Sequence, residues 1–181
     1  MKTRHTSKTA TTGSRKHDNV RDEIIDWLRD AYAMERALES ALEKHSKNDD
    51  LSAEVRETAA THLQETRRHA EDIRALLQSL GTDTSGLKTG LGTIAQGFKG
   101  MASAFARDER VKDLLDSYSM EHFEIACYTA LAAAAERAGL VEVVQVCNQI
   151  IPDEERMAEA LIEALPTEVT EYLFETSERS E

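Results

Sequence analysis

Hydrophobic residues return along this chain at alternating spacings of three and four, the repeat of a helix that buries one face. The first such stretch runs from about Asn19 to His45, with Ile24, Leu28, Ala31, Glu35, Leu38 and Leu42 on its stripe. Asn19 stands where an N-cap would, and Asp22 and Glu23 fall in the first turn, where acids favour the helix dipole. The second runs from about Ser52 to Leu80 on a stripe of Val55, Thr58, His62, Glu65, His69, Ile73, Leu76 and Leu80, and Gly81 supplies the stop. A third follows Asp108 and ends at Gly139, with Leu114, Tyr118, Glu121, Ile125, Tyr128 and Ala132 facing in. The fourth covers about Leu140 to Leu165 on Cys147, Ile151, Glu154, Ala158, Leu161 and Leu165, with a kink expected at Pro152 and an end at Pro166.

Connection lengths turn these elements into a topology. The six residues SKNDDL join the first two helices and a glycine corner joins the last two, so each pair is predicted to be an antiparallel hairpin. Residues 81–108 hold six of the eight glycines and form a long crossover, in which LGTIAQGFKGMASAFA has the periodicity of a short helix lying across the bundle. Two hairpins and one long connection predict an all-α, ferritin-like antiparallel four-helix bundle with its crossover between helices 2 and 3. The expected division is a disordered basic tail over 1–18, the bundle over 19–166, and a short C-terminal extension over 167–181.

Composition agrees with helices and bounds the partners. The 181 residues suffice for one domain, and only 5% are aromatic. A formal net charge of −12 argues against nucleic acid or an anionic membrane as the ligand of the whole surface. The first 17 residues nevertheless carry five Lys or Arg and no acid, so the remainder holds 17 basic residues against 34 acidic ones. A weak electrostatic contact between that tail and nucleic acid or a partner's acidic surface is the alternative to its being a solvated leader. Neither a secretory h-region nor a run of about 18 apolar residues is present, and Cys127 and Cys147 form no CxxC motif; a cytoplasmic protein with two small buried thiols is expected.

Carboxylates interrupt all four apolar stripes: Glu35, Glu65, Glu121 with Glu124, and Glu154. A buried carboxylate needs compensation, and Arg67 and Arg68 are predicted to point to the other side of helix 2. Glu35 and Glu65 lie at about equal distances from the first hairpin corner, as do Glu124 and Glu154 from the second, which puts them at one height in the bundle. His62 and His69 differ by only about 20° around their helix, with Glu65 about 60° to one side. Oxygen-rich carboxylates with one or two imidazoles suit iron or manganese better than zinc, and a dinuclear site bridged by glutamates uses such a cluster.

The segments LRDAYAMERAL, HLQETRRHAEDIRALLQSLG, MEHFEIACYTAL and PDEERMAEAL closely resemble the YciE/YciF family of ferritin-like proteins, over about residues 20–165. The resemblance implies a ferritin-like bundle, dimeric as a rule, related to the rubrerythrin and bacterioferritin group and associated with bacterial stress responses. It also implies metal ligands at Glu35, Glu65, His69, Glu121 or Glu124, and Glu154, with His62 as a further candidate. Two departures stand out: Glu65 and His69 are four apart rather than three, and Met157 and Ala158 follow Glu154 where a second histidine is expected.

Two readings of function follow. One is a stress-associated dimetal oxidoreductase of ferroxidase or peroxidase type, with Tyr32, Tyr118 or Tyr128 close enough to lose an electron. The other is a non-enzymatic, dimeric stress or partner-binding bundle whose metal site is structural or vestigial.

Overall fold

The computed structural model describes residues 10–86 and 108–178, with side chains described from Asn19 onward. Four helices carry the described chain: α1 (Ala10–His45), α2 (Ala53–Ser79), α3 (Glu109–Ala138) and α4 (Val141–Glu178). A single 3₁₀ turn, Thr84–Gly86, follows α2. The short helix expected within the crossover lies outside the described residues.

Local chemistry sets the ends of α2 and α3. Ser52 caps α2 by accepting a hydrogen bond from Val55 N at 3.3 Å, and Asp108 caps α3 by accepting from Val111 N at 2.9 Å. Gly139 ends α3 at φ 73°, where Leu140 N–H reaches back to Ala135 O at 2.9 Å, and Gly81 follows α2 at φ 78°. Both glycines occupy the left-handed conformation that a side chain disfavours.

Two expected boundaries change. Helix α1 begins at Ala10, so Asn19 is interior and does not cap it. Extending an existing helix adds one hydrogen bond per residue ordered, and ATTGSRKHD contains no proline to stop it. Helix α4 continues through both Pro152 and Pro166 to Glu178. A helix-interior proline costs about 3 kcal/mol. Beyond Pro166, however, Glu168 is fully buried, its Oε1 accepts the Ser52 N–H at 3.0 Å, and Arg110 ties Glu175 at 3.1 Å. These anchors hold the last turns of α4 against the starts of α2 and α3.

Each helix packs against two neighbours, α1 with α2 and α3, and α4 with α3 and α2. His45 meets Ser117 while Glu35 meets Tyr128, so α1 and α3 run antiparallel; Ser52 meets Glu168 while His69 meets Asp153, so α2 and α4 do too. Helices α2 and α3 are therefore parallel, and their connection has to return along the bundle, as in ferritin-like folds. The core is divided in two. One apolar cluster joins Ile24, Leu28, Ile73, Leu77, Leu131 and Ile150; the other joins Leu42, Val55, Leu63, Leu114, Met157 and Leu161. Between them along the helices come buried polar residues: Glu35 on α1, Thr66 and His69 on α2, Glu121 and Glu124 on α3, and Asp153 and Glu154 on α4.

Candidate metal centre

The layer that separates the two apolar clusters consists of Glu35 from α1, His62 and His69 from α2, Glu121 and Glu124 from α3, and Glu154 from α4, each no more than 3% exposed. Helical spacing explains their convergence: His62 and His69 are two turns apart on one face, and Glu121 and Glu124 one turn apart. Among the described residues these side chains form two ligand groups, Glu35 with His69 and Glu154, and His62 with Glu121 and Glu154. In each group one ligand atom per residue lies within 4.8 Å of the others. Glu154 belongs to both groups and stands between them.

Each imidazole faces two ways. His69 Nε2 lies 3.1 Å from Asp153 Oδ2, while its Nδ1 lies 3.0 Å from Glu154 Oε1 and 3.6 Å from Glu35 Oε1. His62 Nδ1 lies 3.0 Å from Glu65 Oε2, while its Nε2 lies 3.1 Å from Glu154 Oε2 and 3.3 Å from Glu121 Oε2. Arg156 joins the two outer carboxylates, reaching Glu65 Oε1 at 2.7 Å and Asp153 Oδ1 at 2.6 Å. Tyr128, fully buried, donates its hydroxyl hydrogen bond to Glu35 Oε1.

The inner contacts are short but poorly directed. Glu35 Oε2, His69 Nδ1, Glu121 Oε2, Glu124 Oε2 and both Glu154 oxygens are buried and complete no hydrogen bond. Buried polar atoms are otherwise paired almost without exception. Six such atoms in one layer, five carboxylate oxygens and one imidazole nitrogen, are left without partners.

Electrostatics without a metal follow from this packing. Burial pulls both imidazoles towards the neutral form, but Glu121 and Glu154 hold His62 up at about 11, and Glu154 and Glu35 hold His69 up at about 10. Burial pushes Glu154 up, yet the two imidazoles outweigh it and bring the carboxyl down to about 2. Glu121 is raised to about 7 by burial, opposed by His62. Burial and the neighbouring carboxylates Glu35, Glu154 and Glu121 raise Glu124 well above the carboxylate range. Two imidazolium ions and protonated carboxyls thus supply the compensation that the stripes require, and among the described residues no Lys or Arg pairs with Glu35, Glu121, Glu124 or Glu154.

The expected residues do not all occupy one shell. Glu35, His62, His69, Glu121 and Glu154 make up the two groups; Glu124 is buried beside them; Glu65 stands at the rim, its side chain 19% exposed and held by His62 and Arg156. The buried face of α2 runs through Ala59, Leu63, Thr66, Ala70 and Leu77, which turns Glu65 to the edge. Arg68 also departs from expectation, because its Nη2 reaches Asp153 and lies 3.3 Å from His69 Nε2, whereas Arg67 pairs outward with Glu39 at 2.8 Å. Asp153 and Arg156 are additions: Asp153 sits one residue before Glu154 and off the apolar stripe, and its acid type beside the layer was the only signal. Of Tyr32, Tyr118 and Tyr128, Tyr128 alone bonds a carboxylate of the layer among the described residues. The expected pair of buried thiols is half met: Cys147 is buried and Cys127 partly exposed, both unpaired.

Comparison with known proteins places this architecture. Residues 19–174 match the family described as a domain of unknown function, DUF892. A crystal structure of a protein from Xanthomonas campestris pv. campestris is 30% identical with a TM-score of 0.73, over 87% of this chain and 99% of that one. The stress protein YciF from E. coli, 21% identical, superposes with a TM-score of 0.69 over 83% of this chain and 97% of its own. YcfI from Rhodopseudomonas palustris, 24% identical, gives 0.66 over 78% and 92%. The chain is a member of the DUF892 family and carries the YciF-like ferritin-like bundle.

Proposed function

We propose that this bundle holds a dinuclear iron or manganese centre and acts as a stress-associated oxidoreductase towards peroxide or dioxygen. The observation that carries the reading is the two-way arrangement of both imidazoles: His69 and His62 each set one ring nitrogen against an outer carboxylate and the other towards Glu154. Metal-bound histidines have this geometry, because the outer acceptor fixes the ring orientation and raises the basicity of the inner nitrogen. Four carboxylates and two imidazoles are a donor set for iron or manganese, and the unpaired inner atoms are what a cation would satisfy.

Glu35 and His69 would hold one metal, His62 and Glu121 the other, with Glu154 shared. When bound, the pair supplies two one-electron reductants side by side. The chain's own residues do the rest. Tyr128 orients Glu35 through its hydroxyl, Glu124 stores a proton beside the layer, and the apolar clusters on both sides exclude water. Among the described residues no helix is long and apolar enough to cross a membrane. A soluble, cytoplasmic homodimer fits the reading. Nucleic acid has no part in it beyond a weak contact through the basic tail.

The test is anaerobic loading with ferrous iron followed by addition of hydrogen peroxide. Oxidation of bound iron with consumption of peroxide is expected in the natural protein and not in Glu154→Gln. Iron that binds but is oxidised no faster than free ferrous iron would exclude the oxidoreductase.

One observation favours the second reading, a non-enzymatic dimeric stress or partner-binding bundle. The imidazolium and carboxylate groups already neutralise one another, and Met157 and Ala158 occupy the turn after Glu154, where another imidazole would complete a symmetric site. Metal binding that raises thermal stability without turnover would distinguish it.

A further inference from the structure

We infer that the external groove between α2 and α4 is the route by which a divalent cation reaches the centre, and that Arg156 is a guanidinium latch across its inner end. The inference rests on the metal-centre reading above. The groove, of about 240 Å³, is lined along α2 by Glu54, Glu57, Thr61, His62 and Glu65, with Arg156 facing them from α4. On α2 these positions follow one another at helical spacing and form a continuous stripe that begins at exposed carboxylates and ends at a buried imidazole.

Its inner end is connected to the centre. His62 is 3% exposed and touches both sides: Nδ1 meets Glu65 in the groove, and Nε2 meets Glu121 and Glu154 in the layer. Directly behind it, Glu121 Oε2 and Glu154 Oε2 have no hydrogen-bond partner. A cation leaving Glu65 therefore has unsatisfied carboxylate oxygens ahead of it, on the far side of the His62 ring.

Arg156 occupies the position that such a cation would take first. Its side chain is 58% exposed, with solvent open to it once displaced, and its guanidinium bridges Glu65 and Asp153, the outer acceptors of His62 and His69. A divalent cation arriving at Glu65 replaces one positive charge with two and releases the arginine. The same displacement loosens Asp153 from Arg156, so both imidazoles sense the opening. Glu54 and Glu57 raise the local cation concentration at the mouth through their charge.

Stopped-flow uptake of cobalt(II) by the full-length protein, followed by its visible absorbance and backed by equilibrium stoichiometry, tests this. Arg156→Ala should speed both uptake and chelator-driven release by about fivefold, the factor that freeing one exposed ion pair supplies, and leave the stoichiometry unchanged. Arg156→Lys, which keeps the charge but cannot span both carboxylates, should fall between. Glu54→Gln with Glu57→Gln should slow uptake, more so at low salt, and leave release unchanged. Natural protein that binds two cobalt ions, with all three variants matching it in both rates, would overturn the groove and leave the metal centre standing. Natural protein that binds none would overturn both.

Discussion

His69 Nδ1 lies 3.0 Å from Glu154 Oε1, yet neither atom completes a hydrogen bond. Two complementary groups at contact distance, unaligned and sealed from water, mark an arrangement selected for something other than their mutual bond. Glu154 repeats this relationship with His62 through its other oxygen at 3.1 Å, which makes it the residue on which both halves of the centre depend.

Removing that residue should therefore have two effects. Glu154→Ala takes from two buried imidazolium ions the carboxylate they share and should destabilise the metal-free protein by about 3 kcal/mol, the usual cost of breaking a buried pair. It should also abolish metal binding at both positions. Glu154→Gln keeps the shape and separates the two effects when thermal unfolding and metal titration are run side by side.

Glu65 should behave differently. At the rim it orients His62 rather than filling the layer, and loss of such an outer acceptor lowers metal affinity by about 10- to 100-fold while the ligands remain. Glu65→Gln should thus retain the stoichiometry of the natural protein at a weaker dissociation constant, measured by competition with a chelator.

Metal and protons should compete for the same atoms. His62 and His69 stand at about 11 and about 10 without metal, so both are protonated at neutral pH and have to lose a proton before ligating. Calorimetry in buffers of different ionisation enthalpy should report about two protons from the imidazoles, with a further contribution from Glu121, released per fully loaded chain, with affinity rising as pH rises. Release of no protons would show that the imidazoles are not ligands.

The same shifts fix the pH dependence of the metal-free fold. The two histidines are raised above their ordinary 6.5, so their stabilisation is complete below that pH and is lost as pH climbs through about 10 and about 11. Glu121, raised to about 7 from 4.5, acts in the same direction at lower pH. Glu154, depressed to about 2, stabilises above 4.5 and loses that contribution only as pH falls through about 2. Tm of the metal-free protein should accordingly fall between pH 6 and 10, and bound metal should remove this decline.

At the far end of the bundle, Glu168 accepts the Ser52 N–H and faces the buried Arg110 guanidinium at 3.9 Å. Glu168→Ala removes the acceptor of the Ser52 N–H and one of the two carboxylates beside Arg110, leaving Glu175, and should cost about 1 to 2 kcal/mol by denaturant unfolding. Metal stoichiometry should not change, because this anchor lies beyond the second apolar cluster.

Much of this was legible in the residue pattern. The alternation of three and four located all four helices, and the glycines at 81 and 139 marked real left-handed turns; of the carboxylates at matched distances from the two hairpin corners, Glu35, Glu124 and Glu154 did meet in one layer. What periodicity could not resolve was rotation by a fraction of a turn: Glu65 reads as a core position, yet Leu63, Thr66 and Ala70 take the buried face and leave it at the rim. Nor could a one-dimensional pattern show that Asp153 and Arg156 would reach across to α2, since their partners are 84 and 91 residues away in sequence. Pro166 misled for a related reason: the contacts of Glu168 with Ser52 and Arg110 that hold the following turns are all long-range.

The central claim is that Glu35, His62, His69, Glu121 and Glu154 bind two metals in one layer, and the metal content of untagged protein tests it most directly. Elemental analysis after growth with iron and manganese should give two such ions per chain, and fewer than one in Glu154→Gln purified alongside. A correctly folded natural protein that carries neither metal, and takes up none on titration under anaerobic conditions, would contradict it.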